Sequence, residues 1–145
     1  MIYLGNVWTT VPCEYDEVWV LCRSVQELSG MFSTYKNVIH VPKVAPSDKL
    51  FKHYRSLVHA GEWDKKHFEE CYVPEFMENL QSSTHAHILL HSLVSLSYEK
   101  KVLLACFCAE ELEHMCHRSI VAGILINMGA KVVCSDEYAK YRLYP

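Results

Sequence analysis

Apolar positions along the chain follow a period of two in some segments and of nearly four in others. Residues 2–8 (IYLGNVW) and 17–23 (EVWVLCR) are short β-branched and aromatic runs, separated by TTVPCEYD, which carries turn chemistry. They predict two strands, and residues 37–42 (NVIHVP) predict a third, closed by Pro42. Residues 47–61 switch to the helical period, with Leu50, Tyr54, Leu57 and Val58 on one face. Ser47 is the expected N-cap, and Gly61 the stop. From Asp64 to Leu80 the period is again helical, with Phe68, Tyr72, Phe76 and Leu80 four apart. Pro74 should kink or restart that helix, because its ring crowds the preceding turn and it has no N–H to donate. Residues 84–99 predict a further helix capped by Thr84. The almost unbroken apolar run 101–108 (KVLLACFC) predicts a strand covered on both faces. A helix over 117–128 ending at Gly129, and a last strand over 130–135, complete the pattern.

Strands alternating with helices argue for an α/β class, a three-layer Rossmann-like domain with a mainly parallel sheet of about five strands. The 145 residues suit a single domain over 1–145, with no repeat or linker. Acids and bases are interspersed around a net charge of -3, which disfavours nucleic acid as a partner. No apolar run reaches the roughly 18 residues that span a bilayer, so no membrane role is expected. The start MIYLGNVWTT lacks the basic region of a signal peptide. Cysteines number seven, with Cys13, Cys22, Cys71 and Cys134 scattered singly among apolar residues. Reduced thiols and a cytoplasmic location follow as expectations.

The candidate chemistry lies where the run 101–108 delivers Cys108 and Glu110, since ligands of open parallel sheets bind beyond the strands' carboxyl ends. The segment CHRS (116–119) would open the next helix, whose unpaired N–H groups and dipole suit an anion. Arg118 adds a planar fork for a carboxylate or phosphate, and Ser119 could cap the helix or donate to the same ligand. A helix start favours the Cys116 thiolate, which makes it a candidate nucleophile. Phosphatase-type spacing does not apply, because Arg118 follows Cys116 by only two positions. Cys106, Cys108, Cys116 and His117 form a possible zinc set, although an adjacent Cys-His pair is not the usual knuckle spacing. Plainer readings make Cys106 and Cys108 packed thiols and His117 a structural histidine. They make His85, His87 and His91 a solvated helix face.

The block LLACFCAEELEHMCHRSIVAGILINMGAKV resembles the signature of the domain of unknown function 488 family, in which a hydrophobic strand ends in Cys-aromatic-Glu and a Cys-His-Arg triplet precedes a helix. Cys108, Glu110, Cys116, His117 and Arg118 match residue by residue, with Ala109 in place of the aromatic. Upstream, IYLGN resembles the opening strand, VLCRSV places Arg23 and Ser24 on an Arg-Ser pair, and Tyr72 falls where a helix tyrosine recurs. Cys106, the longer AEELEHM and the insertion-like HAGEW depart from the pattern. The resemblance implies an α/β Rossmann-like domain and a site at the triplet, without implying a reaction.

The resulting expectation is a pocket walled by Arg23, Ser24, Cys108, Glu110 and residues 116–119. Arg23 and Arg118 would clamp a phosphate or carboxylate, and Glu110 would orient an arginine or hold a ribose-like hydroxyl. His117 would shuttle a proton beside Cys116, and Tyr72 would stack on a base. A small anionic, nucleotide-like ligand fits best, with no cofactor and no resident metal, in a hydrolase or transferase. The alternatives are a non-catalytic ligand-sequestering or protein-interaction module, with a homodimer permitted by the small size, and a structural zinc protein.

Overall fold

Four of the expected strands pair into one parallel sheet in the computed structural model, which describes residues 1–107 and 115–143. They are β1 (Ile2–Asn6), β2 (Glu17–Val20), β3 (Val38–His40) and β4 (Val102–Cys106), in the spatial order β1-β4-β2-β3. Ile2 aligns with Val102 and Asn6 with Cys106 on one side of β4, while Val18 aligns with Leu103 on the other. The strand with the most continuous apolar run therefore lies between β1 and β2, and all five of its residues are buried. Its residues alternate between two cores. Val102 and Leu104 join the larger one, and Leu103 and Ala105 the smaller.

The expected fifth strand does not form. Residues 130–135 contribute one isolated parallel bridge, Ile2 to Val132. It is held by Ile2 N–H to the Lys131 carbonyl and Val133 N–H to the Ile2 carbonyl, each 2.8 Å. Beyond it Asp136–Lys140 wind into a 3-10 turn, which takes the chain away from the sheet edge and onto the last helix.

The helices obey their local signals with small shifts. In α2 (Asp48–His59) the Ser47 hydroxyl accepts the Leu50 N–H at 3.2 Å, as the capping pattern requires. Pro74 restarts the next helix. A short α3 (Lys65–His67) runs into a π turn at Phe68–Tyr72, and then α4 (Val73–Gln81) begins with proline in its first turn. A proline cannot donate to the preceding turn, and the wider π turn absorbs the missing bond. In α5 (Thr84–Leu96) the cap is Ser83, one residue before the expected Thr84, accepting from Ala86 N–H. The last helix, α6 (His117–Asn127), follows Cys116 as its N-cap. One short helix, α1 (Ser29–Thr34), was not foreseen, because six residues containing Gly30 carry no measurable period.

Leu50, Phe76, Leu90 and Ile120, from α2, α4, α5 and α6, pack with Leu104 in the larger core. Met31 and Phe32 of α1 cover the smaller one. The sheet is thus layered on both faces, heavily on one and thinly on the other. No helix among the described residues is long and apolar enough to cross a membrane.

Where α6 meets the 3-10 turn the backbones nearly touch. A Cβ on Gly123 would lie 1.9 Å from the Tyr138 carbonyl oxygen, whereas one on Gly30 would meet nothing within 4 Å. Gly123→Ala should therefore cost at least about 1–3 kcal/mol through overpacking. Gly30→Ala should be neutral or gain up to roughly 1 kcal/mol, since alanine restricts the unfolded chain. Urea unfolding of the two variants checks both; equal stabilities would refute the close approach.

Candidate functional site

Three consecutive residues at the start of α6 each reach a different strand of the sheet. The Cys116 sulfur lies 3.3 Å from that of Cys106, the last residue of β4. The His117 Nε2 lies 2.5 Å from the carbonyl of Leu21, just past β2. Arg118 donates from an Nη to the carbonyl of Gly5 in β1. The Cys-His-Arg triplet thus fastens the helix to the carboxyl ends of β4, β2 and β1.

The protonation of His117 follows from that geometry. A carbonyl can only accept, so Nε2 carries the proton. Nδ1 is left with its lone pair, 3.6 Å from the Cys116 sulfur. Burial pushes the His117 pKa below its ordinary value. The Arg118 guanidinium pushes the same way, while Cys106 and the Leu21 bond oppose it. The result is a neutral imidazole beside two thiols, in a place where Cys106 is 0 %, Cys116 2 % and His117 6 % exposed.

Above this floor opens a cavity of about 530 Å³. Its walls are built by the segments that follow strands. Trp8 comes after β1, Leu21, Cys22, Arg23 and Ser24 after β2, and Phe107 after β4. The far wall is Asp48, Phe51, Tyr54 and Arg55 from α2, with Tyr72 from the π turn. The cavity sits beyond the carboxyl ends of parallel strands, as such sites do.

Arg23, Ser24, Tyr72, Cys116 and His117, all singled out from the sequence, come together here. Arg118 and Ser119 do not line the cavity. Arg118 is 1 % exposed and turned toward β1, and the Ser119 hydroxyl donates to the Cys116 carbonyl at 2.6 Å. Cys108 and Glu110 lie outside the described residues. Tyr72 lines the cavity between two other rings. Phe68 stacks on it at 5.6 Å and Phe76 at 6.1 Å, and Phe76 in turn packs against His117 at 5.7 Å. The periodic apolar stripe 68, 72, 76 is therefore the wall that backs the histidine.

Sequence reasoning missed the rim. Trp8 is 63 % exposed and packs against Phe107 at 5.4 Å. It is held by the Asn6 side chain, which accepts the N–H groups of Trp8 and Thr9 at 3.0 Å each. Phe51 and Arg55 stand one turn apart on α2, with the guanidinium 5.8 Å from the ring centre. An exposed aromatic and an arginine at this spacing on an amphipathic helix were the available signal. Arg23 spends its Nε on the Pro46 carbonyl at 2.9 Å and lies 3.5 Å from the Asp48 carboxylate. Neither of its terminal nitrogens is hydrogen-bonded among the described residues.

The His85, His87 and His91 series is a largely solvated helix face: His85 and His91 are exposed, and the His87 ring lies 3.0 Å from the Gln81 carbonyl. The six described cysteines are all free of disulfides.

An all-parallel α/β domain with a thiol–imidazole floor under an aromatic, arginine-bearing cavity is the class that fold and site define. A family model described as the active DUF488-N3 subclade matches residues 7–129, and the chain belongs to the DUF488 family. No curated protein and no solved structure matches it.

The lowered pKa of His117 has a consequence for stability. In the unfolded chain the imidazole takes up a proton near its ordinary value of about 6.5, while the folded one resists it. Below that pH the unfolded state binds more protons, so stability is present above it and falls as the pH drops. The slope attributable to one such histidine is at most about 1.4 kcal/mol per pH unit. Unfolding measured between pH 8 and pH 5 should show this loss, and His117→Gln should remove that part of the slope. An unchanged slope in the variant would contradict a buried neutral imidazole.

Proposed function

We propose that the chain binds a small anionic, nucleotide-like ligand in this cavity and acts on it as a hydrolase or transferase. The observation that carries the reading is the pairing of arginines with exposed aromatic rings around one concavity. Among the described residues Arg23 has no bond at its terminal nitrogens and so can offer them to a phosphate, Arg55 is exposed on the same rim, and Trp8 offers a platform for a base. The site is Rossmann-like in this sense, with the ligand beyond the strands' carboxyl ends.

The catalytic part of the reading rests on Cys116 and His117, together with Glu110. The His117 lone pair faces the Cys116 sulfur, the arrangement in which an imidazole draws the proton from a thiol. In this reading Arg118 fixes the helix start, and the anion is left to Arg23 and Arg55.

Titration of Trp8 fluorescence with nucleoside monophosphates, their parent nucleosides and inorganic phosphate tests the proposal. The nucleotides should bind most tightly. Charge-assisted bonds contribute about 1.5–3 kcal/mol, and the solvent exposure of these arginines favours the lower end. Arg23→Ala and Arg55→Ala should each weaken binding roughly tenfold, with unfolding unchanged for Arg55→Ala, while Arg23→Ala also loses its bond to the Pro46 carbonyl. Equal affinity for nucleosides and nucleotides would end the phosphate reading. Binding with no change of ligand mass over hours would replace the enzyme with a sequestering protein.

A further inference from the structure

Two thiols and an imidazole converge at the cavity floor more closely than packing alone requires. The Cys106 and Cys116 sulfurs are 3.3 Å apart, and the Cys116 sulfur is 3.6 Å from the His117 Nδ1. The ligand atoms of all three residues lie within 4.8 Å of one another. A tetrahedral zinc with Zn–S of about 2.3 Å and Zn–N of about 2.0 Å has edges of roughly 3.8 Å between sulfurs and 3.5 Å between sulfur and nitrogen. The edge between Cys116 and His117 is already in place, and the sulfurs need to part by only about half an ångström. Cys106 and His117, within 4.8 Å, need to close by at most about 1.3 Å.

We propose that Cys106, Cys116 and His117 bind a zinc ion at the floor of the cavity. Adjacent residues seldom reach one metal, but here the backbone changes direction between them. Cys116 is an extended N-cap (φ -136, ψ 150), whereas His117 is already helical, and the turn brings both side chains to one point. The partner that zinc-bound histidines require is present. His117 donates its other ring N–H to the Leu21 carbonyl, which fixes the tautomer and leaves Nδ1 as the ligand atom. Thiolate and imidazole together favour zinc over magnesium or calcium. Two thiolates cancel the charge of the ion, so the filled site is neutral and can remain buried.

Cys106 closes the site from inside, with Cys116 and His117 on the cavity wall. Among the described residues these three converge, and the fourth position falls to water, to a ligand in the cavity or to Cys108, which lies outside the described residues. The site uses neither Arg23 nor Arg55 and stands apart from the nucleotide reading. It changes the chemistry of that reading, however, because a zinc-bound Cys116 is a ligand and no longer a nucleophile.

Cobalt titration of the reduced, chelator-treated protein tests the proposal. One equivalent should give the visible bands of a tetrahedral ion with thiolate-to-cobalt charge transfer, and zinc should bleach them. Cys106→Ser should weaken zinc binding by well over the 10–100-fold or so that loss of an outer partner costs. A second measure needs no variant: the unaltered, reduced protein dialysed against zinc and read by elemental analysis should hold one zinc per chain, and alkylation of the exposed Cys13 and Cys71 beforehand should leave that number unchanged. Reduced protein that shows no tetrahedral cobalt spectrum, or zinc that is lost when only Cys13 and Cys71 are alkylated, would overturn the site. Nucleotide binding measured on the chelator-treated protein keeps the two readings separate, since the arginine rim needs no metal.

Discussion

The bond between the His117 ring and the Leu21 carbonyl sets the position of the last helix on the sheet, and most of the remaining arrangement depends on it. It joins α6 to the end of β2, while the residues on either side join it to β4 and β1. A helix whose start is fastened at three points has no freedom to slide or rotate. Its buried stretch from Ile120 to Leu125 is then committed to the larger core. Gly123 lets the 3-10 turn close over the helix from the outside. The same fastening aims Nδ1 at the thiols, so the fold and the candidate chemistry share one cause.

Fastening of this kind is expensive to build from polar groups. A buried arginine and a buried histidine must each recover in hydrogen bonds what they lose in hydration. Arg118 does so in part on the Gly5 carbonyl, and His117 does so by remaining neutral. Leucine at either place would pack without that cost but could bond to no strand carbonyl. The structural and the chemical readings of the triplet are therefore compatible. A side chain locked by packing and backbone bonds has already given up the entropy that an ordered site requires.

What could be read from the sequence follows the same division between local and distant causes. The run VLLAC announced a doubly covered strand because burial on both faces leaves no polar positions. Ser47 and Pro74 acted through their own backbone and were legible for that reason. The parallel α/β class needed only the alternation of periods. The fifth strand failed because Ala130, Val132 and Val133 look like strand residues, while pairing is decided by where the next turn leads. Arg118 was legible as a residue with a task, but its direction depends on the Gly5 carbonyl, more than a hundred residues away. The rim of Trp8, Phe51 and Arg55 was hidden for a similar reason. Each lies on an ordinary solvent-facing position, and only the tertiary fold places them around one opening.

The His117 imidazole brings no charge to the floor, because burial holds its pKa below the ordinary value. In the proposed reading an anion entering the cavity is drawn by the rim. Among the described residues there, Arg23 and Arg55 stand with one carboxylate, Asp48, so a single positive charge is left over. Charges so close to water act through a high effective dielectric and are screened over about 10 Å at 0.1 M salt. Attraction of that strength gathers a phosphate but does not hold it alone. In the same reading the apolar rings of Trp8, Phe51 and Phe107 supply the rest, which is why the proposal names a ligand with both a phosphate and a flat apolar face rather than a bare anion.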